Sequence, residues 1–267
     1  MDKSRRRFLT LAGLAAAGMA LGASVKSRVR GGVSELFTGA VGSTSPTTGT
    51  GLQPGAKLGM VVDLKKCASL KGCTKCMDAC HKTHNVPDFG NTKDEVKWIW
   101  KEPYERTFPD QDNPYLSDEY NESTVPVFCN NCDNPPCVDV CPTQATWKGD
   151  DGIVMMDWHR CIGCRYCMAA CPYGSRIFNW RDPAASIRHP NPDFPTRTKG
   201  VVEKCQFCEE RVSHGLQPAC VEACPEKALA FGDLNDAHGG VRRLLKDRFS
   251  TRRKPGLGTN PKIYYLV

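Results

Sequence analysis

Sixteen cysteines in this chain fall into four quartets with none left over. In chain order they are Cys67-x5-Cys73-x2-Cys76-x3-Cys80, Cys129-x2-Cys132-x4-Cys137-x3-Cys141, Cys161-x2-Cys164-x2-Cys167-x3-Cys171 and Cys205-x2-Cys208-x11-Cys220-x3-Cys224. Every quartet ends in C-x3-C, and the last three run directly into Pro142, Pro172 and Pro225. This is the ligand run of bacterial iron–sulfur clusters, and the third quartet has its spacing without deviation. Three closely spaced thiolates wrap one corner of a cubane. The fourth, expected to begin a helical turn, points the other way and ligates a neighbouring cluster. Proline after it suits a helix start or a sharp turn, since it has no amide hydrogen to satisfy. Quartets must therefore work in pairs, and four quartets predict two modules and four 4Fe–4S clusters.

Three other uses of cysteine compete. Disulfides suit exported proteins, but disulfide frameworks show no repeated C-x2-C and C-x3-C-P grammar. Structural zinc also takes C-x2-C pairs, yet it has no need of the trailing C-x3-C-P. Covalent haem c needs C-x-x-C-H. The residues after the C-x2-C pairs here are Met77, Asp133, Arg165, Met168 and Glu209. Cys80 does precede His81, but its preceding gap is three residues.

The amino terminus reads Ser4-Arg5-Arg6-Arg7-Phe8-Leu9 and continues apolar to Ala23, the pattern of a twin-arginine export signal. That run is short for a membrane span. The twin-arginine route carries cargo that is already folded, so clusters can be built in the reducing cytoplasm and every thiolate is occupied on arrival outside. Residues 31–57 are rich in Gly, Ser, Thr and Pro with almost no charge, the composition of a flexible tether. The formal net charge of +7 sits mostly in these first 57 residues, where Lys3, Arg5, Arg6, Arg7, Lys26, Arg28, Arg30 and Lys57 face only Asp2 and Glu35. The body is near neutral before its clusters add negative charge, which removes the case for nucleic acid.

Within the body, Met60–Asp63, Val125–Phe128, Gly152–Asp157 and Ala228–Gly232 read as short strands next to the cysteine loops, and Lys262–Val267 as a closing strand. The repeating unit is short strand, cysteine loop and one or two helical turns. That predicts an α+β fold of ferredoxin-like 2×4Fe–4S modules, loop-rich, with clusters supplying what a small core cannot. Trp98, Trp100, Tyr104, Phe108, Tyr115 and Tyr120 in residues 85–124 fit either packing over the modules or a partner-docking surface. The basic run Arg242, Arg243, Lys246, Arg248, Arg252, Arg253 and Lys254 reads as a solvated face. His81, His84 and His159 read as structural or supporting residues rather than ligands.

These residues resemble the four-cluster ferredoxin subunits of membrane respiratory complexes, the small subunits of the dimethyl-sulfoxide-reductase and polysulfide-reductase type. The resemblance covers residues 58–232, and the third quartet with Cys171-Pro172-Tyr173-Gly174 is its most specific part. Cys80-His81-Lys82-Thr83-His84-Asn85-Val86-Pro87, Lys97-Trp98-Ile99-Trp100-Lys101-Glu102 and Asn191-Pro192-Asp193-Phe194-Pro195-Thr196-Arg197 look most like the periplasmic iron–sulfur subunits of sulfite-reduction-associated membrane complexes.

The resemblance implies a ligand set. Cys67, Cys73, Cys76 and Cys224 would hold cluster 1, and Cys205, Cys208, Cys220 and Cys80 cluster 2. Cys129, Cys132, Cys137 and Cys171 would hold cluster 3, and Cys161, Cys164, Cys167 and Cys141 cluster 4. The organisation expected is a signal segment 1–23 and a linker 24–57. An outer module would follow from 58–128 and 201–232, with a docking insertion 85–124. An inner module 129–200 and a C-terminal tail 233–267 complete it. The function implied is single-electron relay, without catalysis, at the periplasmic face of the cytoplasmic membrane. The expected partners are a multihaem cytochrome c and a polytopic quinone-reactive membrane subunit in a sulfur-linked respiratory complex. The alternative is the wire of a molybdopterin oxidoreductase or hydrogenase. The chain departs from the family pattern in the x5 gap of the first quartet and in His81, which stands where proline is usual.

Overall fold

Six consecutive buried residues, Leu58-Gly-Met-Val-Val-Asp63, form β1 (Leu58–Asp63). A strand buried on both faces must be apolar at successive positions, and this one is. The structure, a computed structural model, describes residues 55–111 and 113–267. The expected signal segment 1–23 and all but the last residues of the linker 24–57 lie outside the described residues. Asp63 ends β1 and caps α1 (Leu64–Ala68), its Oδ1 accepting from the Lys66 amide at 3.2 Å. The Arg248 guanidinium also donates to this carboxylate. Burial acts to raise the Asp63 pKa, but the bonds from Arg248 and Lys66 prevail and hold it below the usual value.

The first quartet continues into α2 (Lys75–Thr83). An antiparallel ribbon follows, β2 (Ile99–Pro103) paired through α3 (Tyr104–Thr107) and α4 (Asp118–Asn121) with β3 (Thr124–Phe128), in register Ile99↔Phe128. The inner stretch is built from α5 (Pro136–Asp139), the hairpin β4 (Thr146–Lys148)–β5 (Val154–Met156), α6 (Tyr166–Ala170), and the two-residue pair β6 (Ile177–Phe178)–β7 (Val202–Glu203). The chain ends with α7 (Glu209–Val212), α8 (Ala219–Glu222), β8 (Leu229–Asp233), α9 (Gly240–Asp247), β9 (Ser250–Thr251) and β10 (Ile263–Leu266). Short helices, short strands and long connections make the α+β, loop-rich architecture that the cysteine loops imply.

The largest sheet has the order β8-β1-β10-β9. β8 runs antiparallel to β1, and β10 runs parallel to it in register Met60↔Ile263. Residues 233–267 thus reach further inward than a tail: Tyr265 and Ile263 are fully buried in the main core with Trp98, Phe128 and Phe207. α9 covers this sheet through Val241, which packs with Val61, Leu234 and Leu266. Its Arg242, Arg243 and Lys246 are exposed as a solvated face requires. The rest of that basic run departs from the expectation. Arg248 binds Asp63, Arg253 is buried against Glu102 and over the Tyr173 ring, and Lys254 donates to the Pro172 carbonyl at 2.9 Å. Carboxylates and carbonyls left by the neighbouring loops draw these side chains inward.

Trp98, Trp100, Tyr104 and Phe108 are buried, so in residues 85–124 these side chains pack the core rather than present a docking surface. Tyr115, 93 % exposed, is the aromatic that stays outside.

Candidate metal centre

Two cavities gather cysteines that lie far apart in sequence. Cys67, Cys73, Cys76 and Cys224 line one, together with Lys66 and Lys101. Cys129, Cys132, Cys137 and Cys171 line the other, with Tyr173 and Arg176. The two are alike in size, so the long x5 gap of the first quartet does not close its pocket. Cys80 lies with Cys205, Cys208 and Cys220, all four buried. Cys141 and Cys161 lie beside Cys167. Cys164, in the same loop, is the one exposed cysteine among the sixteen, and none of the sixteen is in a disulfide.

Local structure explains the grouping. α2 carries Cys76 and Cys80 and packs against α8, which carries Cys220. α5 carries Cys137 and packs against α6, which carries Cys167. The first quartet therefore meets the fourth, and the second meets the third. One expectation about the fourth cysteines needs correcting. They do not begin a helical turn. Cys141, Cys171 and Cys224 lie just beyond the short helices α5, α6 and α8, and the prolines after them sit in turns. A residue before proline is driven out of the helical region, so the helix must stop there. Cys80 has His81 after it, and α2 runs on to Thr83. Tight backbone serves the third loop too. Gly163, at φ 69°, lies where an added Cβ would meet the Gly200 carbonyl oxygen at 2.3 Å.

The electrostatics are those of sites built for a cation. Burial, aided by the neighbouring thiols Cys67 and Cys224, pushes Cys76 up to about 11. Burial with Cys129 does the same to Cys132 and to Cys205, each to about 12. Cys80, Cys208 and Cys220 are raised as well, by burial and by neighbouring thiols. Four buried thiols cannot ionise side by side without an internal positive charge. Iron supplies that charge, and a coordinated thiol is deprotonated outright. The donor set fits 4Fe–4S clusters: sulfur only and in fours, fully buried around Cys80, Cys205, Cys208 and Cys220 and more open around Cys164.

Buried cations accompany the thiols. Arg176 donates to Cys137 Sγ at 3.1 Å and to Thr146 Oγ1 at 2.8 Å. Burial raises the Cys167 pKa, and the same guanidinium, as charge and as hydrogen-bond donor, pulls it back. Lys204 is wholly buried, donates to the carbonyls of Val154 and Cys205, and feels Cys129, Cys205 and Cys137. Sequence reasoning missed both. The available signal was a cation five residues after a fourth cysteine and another directly before a first one.

A polar scaffold surrounds the Cys80 group. His84 stacks on Trp98 at 4.7 Å, meets Phe194 edge-on, and contacts Glu210 through Nε2 at 2.9 Å and the Cys80 carbonyl through Nδ1 at 2.8 Å. The His84, Cys208 and Glu210 donor atoms all lie within 4.8 Å of one another. His84 is thus a neighbour of candidate ligands. His81 has its pKa lowered by burial, and His159 is exposed beside Asp157. Arg197 and Glu203 form a fully buried ion pair at 2.6 Å. Glu203 also accepts from Trp98 Nε1 at 2.9 Å and from Asn179, while Arg197 donates to the carbonyls of His84 and Asn85. The three stretches that narrowed the resemblance, around His84, Trp98 and Phe194–Arg197, thus converge on one place.

Residues 121–187 and 192–234 match the 4Fe-4S dicluster domain family, which takes in the second, third and fourth quartets. The chain is 36 % identical to the Hdr-like menaquinol oxidoreductase iron-sulfur subunit 1 of Archaeoglobus fulgidus, covering 98 % of this chain and 97 % of that one. It is 39 % identical to the menaquinone reductase iron-sulfur cluster-binding subunit of Nitratidesulfovibrio vulgaris, covering 79 % and 88 %. It is 38 % identical to the arsenate respiratory reductase iron-sulfur subunit ArrB of a Shewanella species, covering 79 % and 96 %. With sixteen cysteines that fit four 4Fe–4S clusters, the chain belongs to the ferredoxin-type iron–sulfur electron-transfer subunits of the Hdr-like menaquinol oxidoreductase and DMSO-reductase-family respiratory complexes.

Proposed function

We propose that this chain is a linear one-electron wire with no active site of its own. The four clusters, held by the ligand sets implied by the resemblance, stand in the order 1–2–3–4. The adjacency of thiols carries this reading. Cys76 of the first group interacts with Cys80 and Cys220 of the second, and Cys129 of the third with Cys205 of the second. Arg176 links Cys137 of the third with Cys167 of the fourth. The two ends of such a row differ. Lys66 and Lys101 stand at the first, and exposed Ile162, Tyr166 and Trp180 at the last. Electrons would enter at one end and leave at the other, with the polypeptide fixing spacing and tuning potential.

The partners in this reading are a polytopic quinone-reactive membrane subunit and a multihaem cytochrome c, at the periplasmic face after twin-arginine export. The menaquinol and menaquinone in the relatives' names support the quinone side. Among the described residues no helix is long and apolar enough to cross a membrane. Sulfur metabolism is the setting proposed from the sequence stretches around His84, Trp98 and Phe194. The arsenate and tetrathionate reductase relatives favour a second reading, the wire of a molybdopterin reductase.

Two measurements decide. Iron and acid-labile sulfide analysis of the purified chain should return about sixteen irons, four for each of four cubanes. Zinc, or paired cysteines, would overturn the wire. The subunits that co-purify then choose the setting: a multihaem cytochrome supports the sulfur-linked reading, and a molybdopterin protein replaces it with the second.

A further inference from the structure

The wire reading assigns Cys137 to one cluster and Cys167 to the next, and it leaves Arg176 without a role. This guanidinium is 2 % exposed and has no carboxylate partner among its hydrogen bonds. A buried cation is costly unless it is paired. Here the compensation comes from sulfur. Nη2 donates to Cys137 Sγ at 3.1 Å, Nη1 approaches Met156 Sδ at 3.6 Å, and Thr146 Oγ1 at 2.8 Å fixes the fork. Cys167 lies close enough to share the same group. Nε has no partner among the described residues. Thr146 in turn donates to the Met155 carbonyl at 2.6 Å, which anchors the fork to the β4–β5 hairpin.

We propose that Arg176 is a potential-tuning residue for clusters 3 and 4, a fixed cation that stabilises the added electron on both and makes each easier to reduce than it would be without the guanidinium. Hydrogen bonds to cluster sulfur and local charge are the two levers by which a protein sets such potentials, and one guanidinium applies both to two neighbouring sites. Lys204 lies near Cys129 and Cys137 of cluster 3 and also near Cys205 of cluster 2, so it does not set the pairs apart as Arg176 does. The first group has only Lys66 and Lys101, which line its cavity and make no hydrogen bond to its sulfurs among the described residues. The inference rests on the ligand sets proposed above.

The test is an EPR-monitored redox titration of the purified, fully loaded chain and of Arg176→Gln and Arg176→Lys. Iron content is measured first, and sixteen irons per chain keep the wire reading intact whatever the potentials do. With Gln, two of the four clusters should lose at least tenfold in their reduced-to-oxidised ratio at fixed potential, a shift of about 59 mV for one electron. The other two should stay in place. With Lys, which keeps the charge but not the fork, the same two clusters should shift by less. No shift in any cluster, or an equal shift in all four, overturns the inference. If the Gln chain does not load, the Lys chain decides alone: a selective downward shift supports the role, and native potentials overturn it.

Discussion

The first and third quartets solve the same problem with different ends. In the third, α6 spans five residues and stops at Cys171, which is extended at φ −83° and ψ 110° before Pro172. In the first, α2 spans nine residues, passes through Cys80 and closes on His84, whose amide donates to the Cys80 carbonyl at 3.0 Å. One residue makes the difference, because proline forbids the helix that histidine permits. The extra turn places His84 between the Cys80 group and the stack of Trp98 and Phe194. The proline turn instead releases the chain toward Tyr173, Ser175 and Arg176, where Ser175 Oγ donates to the Phe128 carbonyl at 3.1 Å. The residue after the fourth cysteine thus selects the surroundings that a cluster receives.

The contrast can be broken at its largest support. Glu203→Ala should leave Arg197 charged and unpaired beneath His84, which costs about 3–5 kcal/mol for a buried pair. A lowered urea midpoint measures it, and a midpoint close to native would deny the pair its structural role. His81→Pro imposes the third quartet's solution on the first. It should cost about 3 kcal/mol or more and remove the cluster held by Cys80 ahead of the others, read as loss of one EPR signal. Gly163→Ala attacks the third loop instead, where the new methyl meets the Gly200 carbonyl. Forcing a non-glycine residue into this left-handed position adds roughly 1–2 kcal/mol, and loss should begin with the cluster that includes Cys161. Pro172→Ala should do least. Proline's restriction of the unfolded chain is worth about 0.4–1 kcal/mol, and all four clusters should survive.

The four quartets were legible in the sequence because ligand spacing is local chemistry, whereas their grouping across the chain was an expectation drawn from the family resemblance. The strands beside them were legible too: Met60–Asp63 and Val125–Phe128 are apolar runs next to cysteine loops. What escaped was everything set by long-range pairing. β6 and β7 are two residues each, too short to show a period. Trp98 fits packing or docking equally well until Glu203, more than a hundred positions away, is placed on its indole nitrogen. Arg176 and Lys204 look like ordinary surface cations until the fold puts them inside. The basic run after Val241 divides into a solvated half and a half drawn onto the body for the same reason, since only the fold reveals the carboxylates that meet Arg248 and Arg253.

The pairing of β1 with β10 has a consequence for assembly. All sixteen cysteines lie between these two strands in the chain, so the cluster-bearing polypeptide is a hoop whose ends are zipped together. Such a closure carries a large loop entropy and a high contact order, and both make it slow to form from an open chain. Each pair of quartets brought together on a cluster would shorten the span that remains to be closed. A chain lacking one pair would have a longer span to close unaided, so hydrogen exchange at Met60 and Ile263 should be faster in a half-loaded chain than in a full one.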